Sequence, residues 1–206
     1  MELENMVSRT GRNMQRYDNG RRQVVGCIPY RYKDTVATLP FDEESSYEVL
    51  VISPQRKGKG MLFPKGGWEM DETMETAALR ETIEEAGVVG DLEGKLGTWN
   101  FGSKRSGIAC EGHMFPLLVK EELDCWPEKN IRQRIWISIG EAREVCEKGW
   151  MVEAVELLAI RLTSQNRMFP DTDCSSSSSS NQAMVMPLRC GGQMLPPPMP
   201  ASAEEA

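Results

Sequence analysis

The chain is short of several features that define whole classes of protein. It has one histidine, His113, and its six cysteines, at 27, 110, 125, 146, 174 and 190, form no CxxC pair. No zinc site is expected from that supply, and the scattered thiols read as reduced, in an intracellular protein. No run of about 18 apolar residues occurs, so no transmembrane helix is expected. The start, Met1-Glu2-Leu3-Glu4, is acidic and has no apolar stretch behind it, which argues against a secretory signal. Arginines at 9, 12, 16, 21 and 22 keep a mitochondrial transit segment open, against the acidic Glu2, Glu4 and Asp18. The expected location is therefore cytosolic or mitochondrial. Positive charge is scarce overall: 24 Lys and Arg face 31 Asp and Glu, for a net charge of −7. Binding of nucleic acid or of an anionic membrane through bulk charge is not expected. A polyanionic ligand has to be held by local basic groups or by metal.

What is present suffices for one core. A chain of 206 residues with 40% hydrophobic residues reads as one domain with tails: an N-terminal segment 1–21, a domain 22–163, and a tail 164–206. The tail holds six consecutive serines at 175–180 and a proline-rich stretch at 196–200, and reads as disordered. Within the domain, residues 22–32 (RQVVGCIPYRY) and 47–53 (YEVLVIS) read as core strands. The polar stretch 33–46 between them reads as an exposed loop, and 53–68, with two prolines and four glycines, as a shaped one. Further strands are expected at 94–101, 113–119 and 134–139. Helices are expected at 140–146 and at 150–162, the second carrying Val152, Val155, Leu158, Ala159 and Leu162 as a core-facing stripe.

The clearest helix is 72–86. It contains neither glycine nor proline, places Leu79, Ile83 and Ala86 on one face, and meets a natural stop at Gly87. Glu81, Glu84 and Glu85 fall at i, i+3 and i+4, so their carboxylates project from one side, away from that apolar stripe. Three like charges this close repel, and only Arg80 on the helix opposes them. A bound divalent cation removes the penalty, and oxygen ligands in this number suit Mg²⁺ or Mn²⁺, which keep waters and reach substrate phosphates. A solvated helix surface also displays such glutamates. The surroundings favour a site: Gly66-Gly67 lie ahead of the helix, Glu72 and Arg80 sit at fixed offsets, and Gly87 closes it.

Residues 66–88, GGWEMDETMETAALRETIEEAGV, resemble the Nudix box, GX5EX7REUXEEXGU with U aliphatic. Gly66, Glu72, Arg80, Glu81, Glu84, Glu85, Gly87 and Val88 match, and the departure is Thr82 at an aliphatic position, expected to weaken local packing only. The resemblance implies a Nudix fold, an α/β/α sandwich with a mixed central sheet. It implies metal ligands Glu81, Glu85 and Glu84 with the Gly66 carbonyl, a Glu72–Arg80 pair bracing the loop, and a general base that varies in this family, with Glu81 the named candidate. It also implies a hydrolase of phosphoanhydride bonds with Mg²⁺, or Mn²⁺, as cofactor; a ligand-sensing Nudix module is the non-enzyme alternative, against which the three retained glutamates speak.

The stretches SRTGRNMQRYDNGRRQVVGCIPYRY, FPKGGWE and WPEKNIRQRIW look like plant Nudix hydrolases of the diadenosine and diphosphoinositol polyphosphate branch, over most of residues 8–162. This implies a small-molecule polyphosphate substrate, with diadenosine polyphosphates leading, diphosphoinositol polyphosphates next, and nucleotide sugars or dinucleotides behind them. Candidate phosphate contacts are the pairs Arg56-Lys57 and Lys104-Arg105, then Arg16, Arg22, Lys65, Arg132 and Arg134. His113 reads as a strand-end structural residue rather than an acid or base, and Trp68, Trp99 and Trp126 are left without a role.

Overall fold

The computed structural model of the protein describes residues 7–33, 43–55, 60–102 and 107–168. The 34–42 part of the polar loop, the tail beyond Met168, and Arg56, Lys57, Lys104 and Arg105 lie outside them. A short strand β1 (Tyr17–Asp18) turns into the long β2 (Arg21–Tyr32), followed by a 3-10 turn (Glu43–Ser46) and β3 (Tyr47–Ile52). Next come β4 (Lys65–Gly67), α1 (Met74–Ala86), β5 (Val88–Leu92), β6 (Gly97–Gly102) and β7 (Ala109–Glu122). Strand β8 (Arg134–Ser138) and helices α2 (Ile139–Val145) and α3 (Gly149–Met168) complete the described chain.

Side chains alternate across a strand, and here both sets are apolar. On β2, Val25 and Cys27 join one cluster with Ala77, Ala78 and Ala86 of α1, whereas Ile28 and Tyr30 join another with Met151, Val155 and Leu158 of α3. On β3, Leu50 and Ile52 face α1 while Val49 and Val51 face the α2–α3 layer. A sheet buried on both faces reads as continuous apolar runs, as 22–32 and 47–53 do. The eight strands form one mixed sheet ordered β5-β7-β2-β3-β8, with β1 and β4 added to β2 and β6 to β7. Its centre is the parallel pair β2–β7, in which Val25 lies opposite His113; the neighbouring pairings are antiparallel. The result is the expected α/β/α sandwich.

Some details depart from the sequence expectations. Strand β5 was not anticipated: it follows α1 after a single residue, Gly87, whose φ of 63° closes the helix in the left-handed region where glycine is favoured. A side chain there would also strike the Trp126 ring. On α1 the face against the sheet is formed by Ala77, Ala78, Thr82 and Ala86, with Leu79 and Ile83 only half-buried. Thr82 does not loosen the packing. It is fully buried, and its hydroxyl donates 2.8 Å to the Ala78 carbonyl, so the small residue fits the close approach of helix to sheet without stranding a polar atom. The stripe expected on α3 is observed, with Met151 and Ala154 added and Val152 at its margin.

Candidate active site

Helix α1 starts at Thr73, whose hydroxyl caps the Thr76 N–H, so the loop before it, 66–72, is pinned at one end by the helix and at the other by β4 in the sheet. Arg80 reaches back from the helix and grips this loop. Its Nε and Nη2 donate to the two oxygens of Glu72 at 2.9 and 2.7 Å, and Nη2 also donates to the Gly67 carbonyl at 3.1 Å. Glu72 accepts the Glu69 N–H at 3.1 Å. The brace expected between Glu72 and Arg80 is thus in place. The remaining Nη1 of Arg80 faces Glu81 Oε1 at 2.9 Å and Glu84 Oε1 at 3.3 Å.

The three clustered glutamates are gathered as their spacing requires, but they are not a solvated surface. Glu84 and Glu85 are 4% and 7% exposed. Glu85 accepts the Lys65 N–H at 2.8 Å and pairs with Arg132; Glu84 Oε2 accepts the Arg9 N–H at 3.3 Å. Burial pushes all three carboxyls above their usual range, Glu81 to about 7, against the opposing pull of Arg80 on Glu81 and Glu84 and of Lys65 and Arg132 on Glu85. Glu72 behaves oppositely: although burial opposes its charge, the Arg80 bonds hold it below the ordinary value.

The donor set fits a hard divalent cation on two grounds. Four carboxylates, those of Glu72, Glu81, Glu84 and Glu85, face two guanidinium groups, those of Arg80 and Arg132, which leaves negative charge to be neutralised. Gly66 also lies so close to Glu81 that a Cβ there would fall 2.0 Å from Oε2, so only glycine lets the backbone and the carboxylate approach this closely. Among the described residues no three acidic, imidazole or thiol groups converge on one point; each glutamate is turned to an arginine or a backbone N–H.

The raised Glu81 pKa has a consequence for stability. The folded protein keeps this proton up to about pH 7, whereas the unfolded chain releases it near the ordinary 4.5. Folding of the metal-free protein therefore takes up a proton between those values, and stability falls as the pH rises through that window, by up to about 3 kcal/mol. His113, whose protonation burial opposes, gives the reverse slope near its ordinary 6.5. The readout is thus the difference between native protein and Glu81→Gln in melts with chelator from pH 5 to 7.5: the variant should lack the fall. Parallel curves would count against a raised Glu81.

The basic residues divide into those that face a cavity and those that hold the frame. A cavity of about 650 Å³ beside Gly66 is lined by Arg22, Lys65 and Lys148 together with Phe101 and Trp150, whose rings stack at 4.7 Å and 9°. Burial lowers the Lys65 pKa, with Glu85 opposing. Arg22 also donates to Gln15 Oε1 at 2.5 Å. Arg16 is placed elsewhere: its guanidinium lies over Trp68 at 4.5 Å and donates to the Glu69 and Met70 carbonyls at 3.0 and 2.9 Å. Arg132 is buried, binding Glu128 Oε2 at 2.6 Å and the Ser53 carbonyl at 3.0 Å besides Glu85. Arg134 stacks on Trp126 at 4.2 Å and donates to the Ala86 and Gly87 carbonyls at 3.1 and 2.8 Å, at the negative end of α1. His113 is buried between Thr98 and Gln23. Sequence reasoning missed Lys148, Glu128 and Arg9. Lys148 gives no pattern beyond its place just before α3, and Arg9 registered only as one of several N-terminal charges.

Comparison with known proteins shows the family. The model of the NUDIX domain matches residues 31–158. The chain is 58% identical over 158 residues to Nudix hydrolase 18, mitochondrial, of Arabidopsis thaliana, covering 77% of this chain and 88% of that one. It is 35% identical over 136 residues to diphosphoinositol polyphosphate phosphohydrolase 3-alpha of Mus musculus, covering 64% and 81%. A solved structure of a C. elegans Ap4A hydrolase binary complex superposes with a TM-score of 0.53 at 17% identity, covering 69% of this chain and 98% of that one. The chain belongs to the Nudix hydrolase family and is a pyrophosphohydrolase, an enzyme acting on phosphorus-containing acid anhydrides.

Proposed function

We propose that the enzyme cleaves phosphoanhydride bonds within long phosphate chains, with diadenosine polyphosphates as preferred substrates and Mg²⁺, or Mn²⁺ in its place, as the working ion. The observation that carries this reading is the cavity beside Gly66. Three cations, Arg22, Lys65 and Lys148, suit several successive phosphates, and the stacked Phe101–Trp150 pair supplies a flat aromatic surface in the same space. The cations alone equally favour diphosphoinositol polyphosphates, the substrate named in the mouse relative; the aromatic pair favours a nucleobase.

Glu81, Glu84, Glu85 and the Gly66 carbonyl would hold the ion, which when bound shields charge on phosphoryl oxygens and lowers the pKa of a bound water. Lys65 and Arg22 orient the chain of phosphates at the Gly66 end. Glu81, whose proton affinity burial holds near neutrality, is the residue proposed to take a proton from the attacking water. Glu72 and Arg80 touch no substrate and keep the loop in register. The same reading places the enzyme in the cytosol or mitochondrion, the latter supported by the mitochondrial relative; among the described residues no helix is long and apolar enough to cross a membrane.

The test is product release from diadenosine polyphosphates, diphosphoinositol phosphates, ADP-ribose and NADH with each metal. Selective cleavage of diadenosine chains is expected, and preference for ADP-ribose or NADH would overturn the substrate assignment. Lys104→Ala with Arg105→Ala should raise KM for longer chains more than for short ones while sparing kcat; equal effects on both would remove that pair from the binding site.

A further inference from the structure

The segment 9–16 lies ahead of the region matched by the family model, which begins at residue 31, yet it is bonded along its length to the loop that precedes α1. The Arg16 N–H donates to the Trp68 carbonyl and the Met70 N–H to the Met14 carbonyl, both at 2.8 Å, and Gln15 bridges Glu69 in antiparallel fashion. The Arg16 guanidinium closes over three loop carbonyls, those of Glu69, Met70 and Glu72. At the far end, Arg9 Nη1 binds Glu69 Oε2 at 2.6 Å and Asp71 Oδ1 at 3.0 Å, while its backbone N–H donates to Glu84 Oε2 at 3.3 Å. Glu69 is itself 8% exposed, so the ion pair with Arg9 is partly shielded from water.

These contacts form one continuous path: Arg9 to Glu69, the Glu69 N–H to Glu72, Glu72 to Arg80, and Arg80 to Glu81 and Glu84. A second, direct link joins Arg9 to Glu84. From this we infer that the strap 9–16 is a working part of the catalytic centre and that Arg9 is a positioning residue for the carboxylate cluster, setting how tightly the cluster takes a divalent cation. The physical reason is preorganisation. Glu84 has one oxygen directed by Arg80 and the other by the Arg9 N–H, so its lone pairs have a fixed aim only while the strap is seated, and the Arg9 guanidinium seats it through Glu69 and Asp71. Groups that orient metal ligands without touching the metal typically change affinity about 10- to 100-fold when removed. The inference rests on the proposed metal-binding role of Glu84.

The test uses the full chain with Arg9→Ala, Arg9→Lys and Arg12→Ala. Arg12 stands in the same strap with the same charge and makes no side-chain bond among the described residues. Mn²⁺ binding at equilibrium is read by loss of the free-ion magnetic resonance signal, beside melting temperature in chelator and kcat at saturating metal. Arg9→Ala should weaken Mn²⁺ binding about 10-fold or more, Arg9→Lys should recover most of it because a single nitrogen makes both carboxylate contacts, and Arg12→Ala should match the native protein. If Arg9→Ala lowers the melting temperature with Mn²⁺ affinity unchanged, the strap is structural only and the inference fails. Equal loss in Arg12→Ala would reduce it to a charge effect and likewise overturn it. Should Glu84→Gln leave Mn²⁺ binding intact, the ligand assignment beneath the inference fails instead, which keeps the two apart.

Discussion

Replacing Glu85 by glutamine is expected to lower Mg²⁺-supported turnover by about 10²- to 10⁴-fold while leaving the fold in place. The carboxylate is buried between the Lys65 N–H and Arg132. The amide keeps one of two bonds, because Oε2 takes the Lys65 N–H and Oε1 takes Arg132. Arg132 retains Glu128 and the Ser53 carbonyl, and the change removes a charge whose burial is unfavourable, the direction already visible in its raised pKa. Chelated Glu85→Gln protein should therefore unfold within about 1 kcal/mol of the native protein in urea. Turnover at limiting Mg²⁺ equal to that of the native enzyme would sink the assignment of Glu85 as a ligand. Loss of both turnover and stability would instead mark it as an anchor for Arg132.

Arg80→Ala should show the reverse pattern, with stability suffering first. One guanidinium serves Glu72, Glu81 and Glu84 and the Gly67 carbonyl, with its side chain 10% exposed. Burial works against its charge, yet the surrounding carboxylates hold its pKa above the ordinary value. Without it, buried carboxylates lose their principal cation, and breaking a buried pair from one side costs about 3 to 5 kcal/mol. The loss should be largest near pH 8 and shrink toward pH 5, where Glu81 is protonated and needs no partner. Arg80→Lys should lie between, since an ammonium restores charge but cannot grip both oxygens of Glu72 and the Gly67 carbonyl together. Urea titrations at the two pH values provide the measurement, and a loss below 1 kcal/mol at pH 8 would show that the brace carries little stability.

Much of the site was legible because helical spacing is a strict ruler. Glu81, Glu84 and Glu85 had to share a side, whereas the Glu72–Arg80 pair was implied by the resemblance to the Nudix box. The core strands were legible from apolar runs bounded by turn residues, whereas the sandwich followed from the resemblance of residues 66–88 to the Nudix box. What escaped was tertiary in origin. The face of α1 that meets the sheet is set by how closely alanine and threonine allow the helix to approach, so Leu79 and Ile83 point to its margin although hydrophobicity favoured them. Strand β5 is five residues with glycine and aspartate within it (VVGDL), a weak pattern completed by its pairing with β7. Arg132 and Arg134 look in sequence like further phosphate contacts. Their commitments to Glu85, Glu128 and the end of α1 depend on a loop folding back over the helix, which no local pattern announces.

The parallel pairing of β2 with β7 also bears on how the chain reaches this state. Gln23 and His113, bonded to each other at the sheet centre, are 90 residues apart, so during synthesis β2 leaves the ribosome long before its central partner exists. Chain growth at about 5 to 20 residues per second leaves it waiting several seconds. In that interval β2 has β1, β3, β4 and α1, as each is made, to cover it, and lacks β7 and α3. Slow nonlocal pairing of this kind exposes sticky surface, and the demand for chaperone protection should be concentrated in nascent chains that end between residues 52 and 109, easing once β7 has emerged.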